Sequence, residues 1–363
     1  MKKLLFLSIA LLSLAACSSD DDSTPVEVPT VGETLKESVG GANQPNQVYL
    51  DLSTAESKSV NRGAWDFGFS TGTDFRVILN GSIRMAVKKL ETSDITVAQE
   101  IDIKVLAGGG ETLASNGYVD NPTGVLAGAG AGIGTAIAEI SATDADNKVY
   151  LVNLGYAVGT AKANPGNVAV DGDPRGWKKV RILRSGNGYK IQYADLASKT
   201  FTEKTISKDA DFNFTFFSLT SGNTVSVEPA KAKWDLNFTV FTNYLNMGPG
   251  GEVTYAYSDF ITTNLKGGTQ VYQVLVSAGG SYADFTKAKV VEDSFKPSVT
   301  DQRMIGANWR NGGGQNGSLP SIRTDRFYVV KDAAGNYYKV KFLTMTNDAG
   351  ERGNVVLEYA ILK

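Results

Sequence analysis

The chain has 363 residues, 42% hydrophobic and 20% charged, with 36 basic against 38 acidic residues and a formal net charge of −2. One cysteine and no histidine exclude an internal disulfide, Ser-His-Asp and Cys-His catalysis, and zinc sites of the usual His-containing kinds. No Lys/Arg run is present, which argues against a nucleic-acid partner, and the apolar content suffices for two packed cores.

Lys2 and Lys3, the apolar run Leu4 to Leu12, and Leu14-Ala15-Ala16-Cys17 have the order of a bacterial lipoprotein export signal over residues 1–16. The run is too short for a transmembrane helix, which needs about 20 apolar residues. Cys17 would become the acylated first residue and anchor the protein to a membrane, since several alkyl chains give stable attachment. Asp20-Asp21-Asp22 follows at once. It resembles the surface-export signal of outer-membrane lipoproteins, so the expected setting is the outer membrane, lipid-anchored and facing the exterior. Residues 17–39 form a flexible acidic tether.

From there the chain repeats itself. Tyr49-Leu50-Asp51-Leu52-Ser53-Thr54 followed by Trp65-Asp66-Phe67-Gly68-Phe69 is echoed by Phe216-Phe217-Ser218-Leu219-Thr220-Ser221 followed by Trp234-Asp235-Leu236-Asn237-Phe238. The ends match too: Val149 to Val152, Trp177 to Leu183 and Ile191 to Leu196 correspond to Phe327 to Val330, Tyr338 to Leu343 and Leu357 to Leu362. Apolar residues recur with period two, as in Tyr189-Ile191-Tyr193 and Tyr338-Val340-Phe342, which puts them on one face of a strand. Gly and Asn punctuate these runs at Ser185 to Gly188, Ala333 to Asn336 and Asp348 to Gly353, as tight hairpins require. The expected fold is all-β: two tandem, duplicated, mostly antiparallel modules over residues 40–200 and 205–363, behind the lipidated tether. Short helices are allowed over Ser93 to Glu100 and Asp284 to Lys296.

Several motifs invite a chemical reading that they do not sustain. Ala127 to Gly134 is glycine-rich, but no Gly-Lys-Ser/Thr follows and the dinucleotide spacing fails; it reads as a surface loop. Asp144/Asp146 and Asp171/Asp173 could act as glycosidase carboxylates or bind calcium, but they sit in turn-like stretches without the full calcium-loop spacing. Trp65-Asp66 and Trp234-Asp235 read as structural, each Trp entering a core and each Asp accepting hydrogen bonds from a neighbouring turn. No catalytic residue is expected.

The order Val48 to Leu52, Trp65 to Phe69, Phe75 to Ser82, then paired strands like Trp177 to Leu196, resembles the HmuY-like haem-binding lipoproteins, and the second module carries the same order, with Tyr244 to Gly248 in the middle and Asp325 to Val330 near its end. The resemblance implies a non-enzymatic surface protein that captures haem and passes it to a TonB-dependent outer-membrane receptor. The best-known members clamp iron between two histidines, which this chain lacks; others use methionine, and a thioether is an acceptable axial ligand. Met247 and Met304, beside glycine-rich loops, are the candidate iron ligands, with Met85 as the alternative in the first module. Met345 reads as core. Arg303 and Arg310 are the candidate propionate partners, since a guanidinium fork matches a carboxylate, and Asn311 to Gly317 is a candidate flap. The alternative function is a surface module for a glycan or a receptor partner that has lost the haem site.

Overall fold

In the computed structural model, residues 33–109, 117–128, 130, 132–313 and 319–363 are described. The lipobox with Cys17, the acidic run and most of the tether lie outside them, as does much of the candidate flap; the end of the expected tether, Glu33–Ser38, is a strand paired with the C-terminal one rather than a flexible linker.

Alternating apolar residues form strands throughout. The first half contains β1 (Glu33–Ser38), β2 (Asn46–Asp51), β3 (Glu56–Asn61), β4 (Phe67–Ser70), β5 (Val77–Leu79), β6 (Ala86–Lys89), β7 (Val149–Asn153), β8 (Tyr156–Val158), β9 (Asp171–Pro174), β10 (Trp177–Ser185), β11 (Gly188–Ala194) and β12 (Thr202–Ile206). The second contains β13 (Phe214–Ser218), β14 (Asn223–Val225), β15 (Leu236–Asn246), β16 (Glu252–Thr263), β17 (Gln270–Leu275), β18 (Arg310–Asn311), β19 (Ser321–Ile322), β20 (Arg326–Lys331), β21 (Tyr337–Thr346) and β22 (Arg352–Ile361). All pairings between them are antiparallel. The three glycine-marked hairpins form where the turn residues place them; Ser185 pairs with Gly188 across a two-residue loop. Asp284 to Lys296 carries two short 3-10 turns, Lys287–Lys289 and the start of Glu292–Val299, whereas Ser93 to Glu100 holds only a turn.

The sheets pair the halves crosswise. Two five-stranded sheets have the orders β12-β11-β10-β7-β6 and β1-β22-β21-β20-β17, and two four-stranded sheets the orders β14-β13-β4-β5 and β16-β15-β2-β3. In each copy, the three strands preceding the Trp-Asp motif leave their own module. Strands β1 to β3 join the sheets of the second copy, and β12 to β14 stay with those of the first. Expected boundaries at 40–200 and 205–363 follow the sequence repeat, but packing divides the chain differently: one body spans about Arg62 to Val225, the other combines residues 33–61 with the C-terminal part. The cores agree. Phe217, Leu219 and Ile206 lie in a cluster with Phe67, Val77 and Ile191, while Val39, Val48, Leu50 and Leu52 lie with Leu236, Val330 and Leu357. A period-two pattern dictates which face of a strand is buried, not which sheet edge it joins.

The Trp-Asp motifs clasp this exchange. Asp66 N–H donates to Phe217 O (2.9 Å), and its Oδ2 accepts from Leu219 N–H (2.6 Å). Reciprocally, Asp235 N–H donates to Leu50 O (2.8 Å), and its Oδ2 accepts from Leu52 N–H (2.9 Å). Asn80 and Asn264 repeat the symmetry, each donating to the carbonyl of its Trp. The tryptophans meet an aromatic ring from the opposite copy edge-on, Trp65 against Phe216 at 4.8 Å and Trp234 against Tyr49 at 5.0 Å.

Candidate functional site

The halves differ most in the hairpin after the motif. Strands β4 and β5 are four and three residues long; β15 and β16 run to eleven and twelve. The extension carries a row of aromatic rings: Phe241 stacks on Phe260 at 4.7 Å, Tyr257 lies 5.8 Å from Phe260, and Tyr255 lies 4.9 Å from Tyr257. Strict alternation would put Phe260 on the opposite face from Tyr257. The register shift solves this: Thr239 faces Phe260 and Phe241 faces Tyr257, so β16 holds one extra residue, a bulge at whose centre Asp259 takes φ +49°. Phe260 is buried, whereas Tyr255 at the outer end is 42% exposed.

The opposite face of the hairpin is occupied. Tyr244 packs on the cluster of Ala86, Val105 and Leu151, and Thr242 donates to Gly81 O. The row from Phe241 to Tyr255 lies on the other face, buried at Phe260, half-buried at Phe241 and Tyr257, and exposed at Tyr255. Met247 stands at the hairpin's tip, 53% exposed, held in a turn by its N–H to Gly251 O (2.7 Å).

The other expected site residues are placed otherwise. Met304 packs against the second core, beside the segment in which Thr263 N–H bonds Gln302 O and Gly306 bridges Ile261. Ile261 faces Phe238, nine residues before Met247, so at about 3.3 Å per residue up to roughly 30 Å of strand separates Met247 from the stretch that carries Met304. The two methionines cannot share one iron. Met85 is 1% exposed within the first core and Met345 2% within the second. Arg303 is bidentate on Asp301 and also donates to Asn243, and Arg310 donates to the carbonyls of Ser258 and Asp259. Burial pulls Arg310 below its usual pKa, opposed by Asp259. Both guanidiniums are engaged locally, so neither stands ready for a propionate. Among the described residues no group of three or more Asp, Glu, His or Cys could hold a metal ion, and no helix is long and apolar enough to cross a membrane.

Between the halves lies a cavity of about 170 Å³, lined in part by Tyr49, Trp65, Phe216 and Trp234. Asp120 and Glu228 are on its wall; desolvation pushes both carboxyls up to about 7 against the backbone N–H groups that each accepts. Met85 also touches it. Sequence reasoning missed this cavity, because its walls come from elements brought together only by the exchange.

A family model described as HmuY protein matches residues 43–213 and 193–359. No curated protein matches the chain in sequence. Among solved structures, it is similar to a Bacteroides vulgatus protein described as HmuY-like and haem-binding (12% identity over 91% of this chain and 92% of that one, TM-score 0.24). It is also similar to the apo form of an HmuY analogue from Tannerella forsythia (12%, 92% and 97%, TM-score 0.25) and to apo PinO of Porphyromonas gingivitis (17%, 48% and 91%, TM-score 0.17). Family assignment rests on the sequence match alone.

Proposed function

The chain belongs to the HmuY family, and from that premise we propose that it is a non-enzymatic haem-binding protein, anchored through Cys17 to the outer membrane and facing the exterior, which hands haem to a TonB-dependent receptor. Membership over both copies carries the reading. Supporting a site on the long hairpin are the exposed ring of Tyr255, a surface on which a porphyrin can pack, and the exposed thioether of Met247 at the tip. With Met304 out of reach and Met85 in the core, ligation is by one sulfur. A soft neutral thioether stabilises ferrous over ferric iron, so binding strengthens under reductant.

Titration of the mature protein with haem, with and without dithionite, tests this. A saturable Soret change, stronger on reduction, is expected; Met247→Ala abolishes the reduced-state change, while Met304→Ala leaves it intact. An unchanged spectrum in M247A removes the assigned ligand, and no binding in either redox state removes the function. Surface display is checked separately, by protease on whole cells: release of the mature domain supports it, and protection until the outer membrane is broken overturns it.

A further inference from the structure

Pseudo-symmetry fails at one point in the cavity between the halves, and the failure leaves polar atoms without partners. Trp65 Nε1 donates to Gln47 Oε1 at 3.2 Å. Gln47 stands two residues before Tyr49; the equivalent position, two before Phe216, is Phe214, which has no acceptor. Trp234, 9% exposed, accordingly keeps a buried indole N–H with no hydrogen-bond partner. Close by in sequence, Asn237 occupies the place that Gly68 holds in the first copy, and its Oδ1 is likewise buried and unpartnered. Both residues line the cavity. A buried donor or acceptor left unsatisfied costs about 1–3 kcal/mol, so a site with one of each, walled by aromatic rings, is built to be filled.

We infer that this cavity binds a small neutral aromatic ring bearing a hydroxyl, whose oxygen accepts from Trp234 Nε1 and whose proton goes to Asn237 Oδ1. The volume fits, since a cavity of about 150 Å³ holds benzene. Edge-to-face walls from Trp65, Phe216, Tyr49 and Trp234 suit a ring better than a chain. Sugars are disfavoured: a hexose brings several hydroxyls into a lining with few unpaired partners, and each one buried unpaired opposes binding. Two carboxyls, Asp120 and Glu228, stand on the wall against the one ammonium of Lys266, which leaves no surplus of positive charge for an anion.

Calorimetry and ligand-observed NMR on the mature chain, with phenol, benzene and glucose as probes, decide the matter. Phenol should bind saturably and glucose should not. Trp234→Phe, which keeps a ring but deletes the N–H, should weaken phenol about five- to tenfold, the worth of one hydrogen bond, and leave benzene unchanged. Phe214→Gln, which gives Trp234 the acceptor that Trp65 already has, should weaken phenol likewise. Absence of saturable phenol binding, as in a cavity holding only water, overturns the inference, and so does a phenol affinity in both variants equal to that of the unaltered chain. Either variant should keep the haem-dependent Soret change, so failure here is distinguishable from failure of the haem reading.

Discussion

Asp66 and Asp235 occupy equivalent positions in the clasp, yet among the described residues only Asp66 has a cation paired with it. Asp66 Oδ1 lies 2.7 Å from Arg175 Nη1, whereas Asp235 Oδ1 accepts from the Thr269 hydroxyl at 2.9 Å. Burial pushes the Asp235 carboxyl up to about 7, with Asp51 and Asp332 adding to the rise. The folded state therefore binds this proton more tightly than the unfolded chain. Its contribution to stability is complete below the ordinary carboxyl range near 4 and is lost as pH rises towards 7, and Asp120 and Glu228 act in the same sense. Thermal unfolding should thus occur at higher temperature at pH 5.5 than at 7.5, and Asp235→Asn should narrow the gap; a wild-type midpoint that rises with pH over this window contradicts the assignment. At Asp66 removal is costlier. Asp66→Ala strands the largely buried Arg175 and the Leu219 N–H, for an expected loss of about 3–5 kcal/mol in urea unfolding. The structural character of these Trp-Asp pairs was legible in their repetition and in the ring beside the carboxylate. Their partners were not, because each Asp reaches a turn more than 150 residues away in the chain.

At the scale of elements, the long hairpin shows where sequence reading stops. Period two correctly makes strands of Leu236–Asn246 and Glu252–Thr263, and glycine beside Met247 correctly marks a loop. Nothing local announces the extra residue at Asp259, since the bulge is held from outside: Asp259 Oδ1 accepts from Gln44 Nε2 at 2.7 Å, Asp259 N–H donates to Gln44 Oε1, and its Oδ2 pairs with Arg352. The pairing of Met247 with Met304 failed for a related reason, as strand register rather than flanking loops sets their separation. Arg303 and Arg310 likewise carry the right chemistry for a propionate but spend it on nearby carboxylates and carbonyls. Asp259→Ala should be severe, placing a Cβ without local hydrogen bonds at positive φ and leaving the buried Arg352 unpaired at about 3–5 kcal/mol, a fall of roughly 10 °C or more in the midpoint. Asp259→Asn keeps tolerance of positive φ and the bond to Gln44, so it should cost less. Equal costs would show that the bulge is not stabilised by this residue.

On the scale of the whole molecule, duplication and all-β class were written in the sequence, while crosswise assembly was not. A repeated motif order is blind to which copy a strand joins, because both copies present the same pattern to the same kind of edge. The chain entering Trp65 is pinned across the divide by Arg62, fully buried, whose Nε donates to Gln44 O at 2.7 Å and whose Nη1 donates to Ser82 O. Burial lowers its pKa to about 10. The exchange makes a strong demand on fragments. Residues 62–231 contain one body's strands β4 to β14 with the core cluster around Phe67, Ile191 and Phe217 intact, so this piece should fold alone as a monomer with a single cooperative transition. A piece built on the first repeat, residues 40–200, and extended to whole strands as 33–208, instead carries strands β1 to β3 without their partners β15 and β22 and lacks the β13 that should flank β4. Its unpaired edges should drive it to self-associate, exchanging strands with a second copy. Deleting residues 1–61 from the full chain removes Val39, Val48, Leu50 and Leu52 from the second core, each worth roughly 1.5–3 kcal/mol when buried, and should melt that body while the first persists. Calorimetry and size-exclusion chromatography on the three proteins give the answer: a monomeric, stable 33–208 beside an unfolded 62–231 would mean that each copy closes on itself and that the strands are not exchanged.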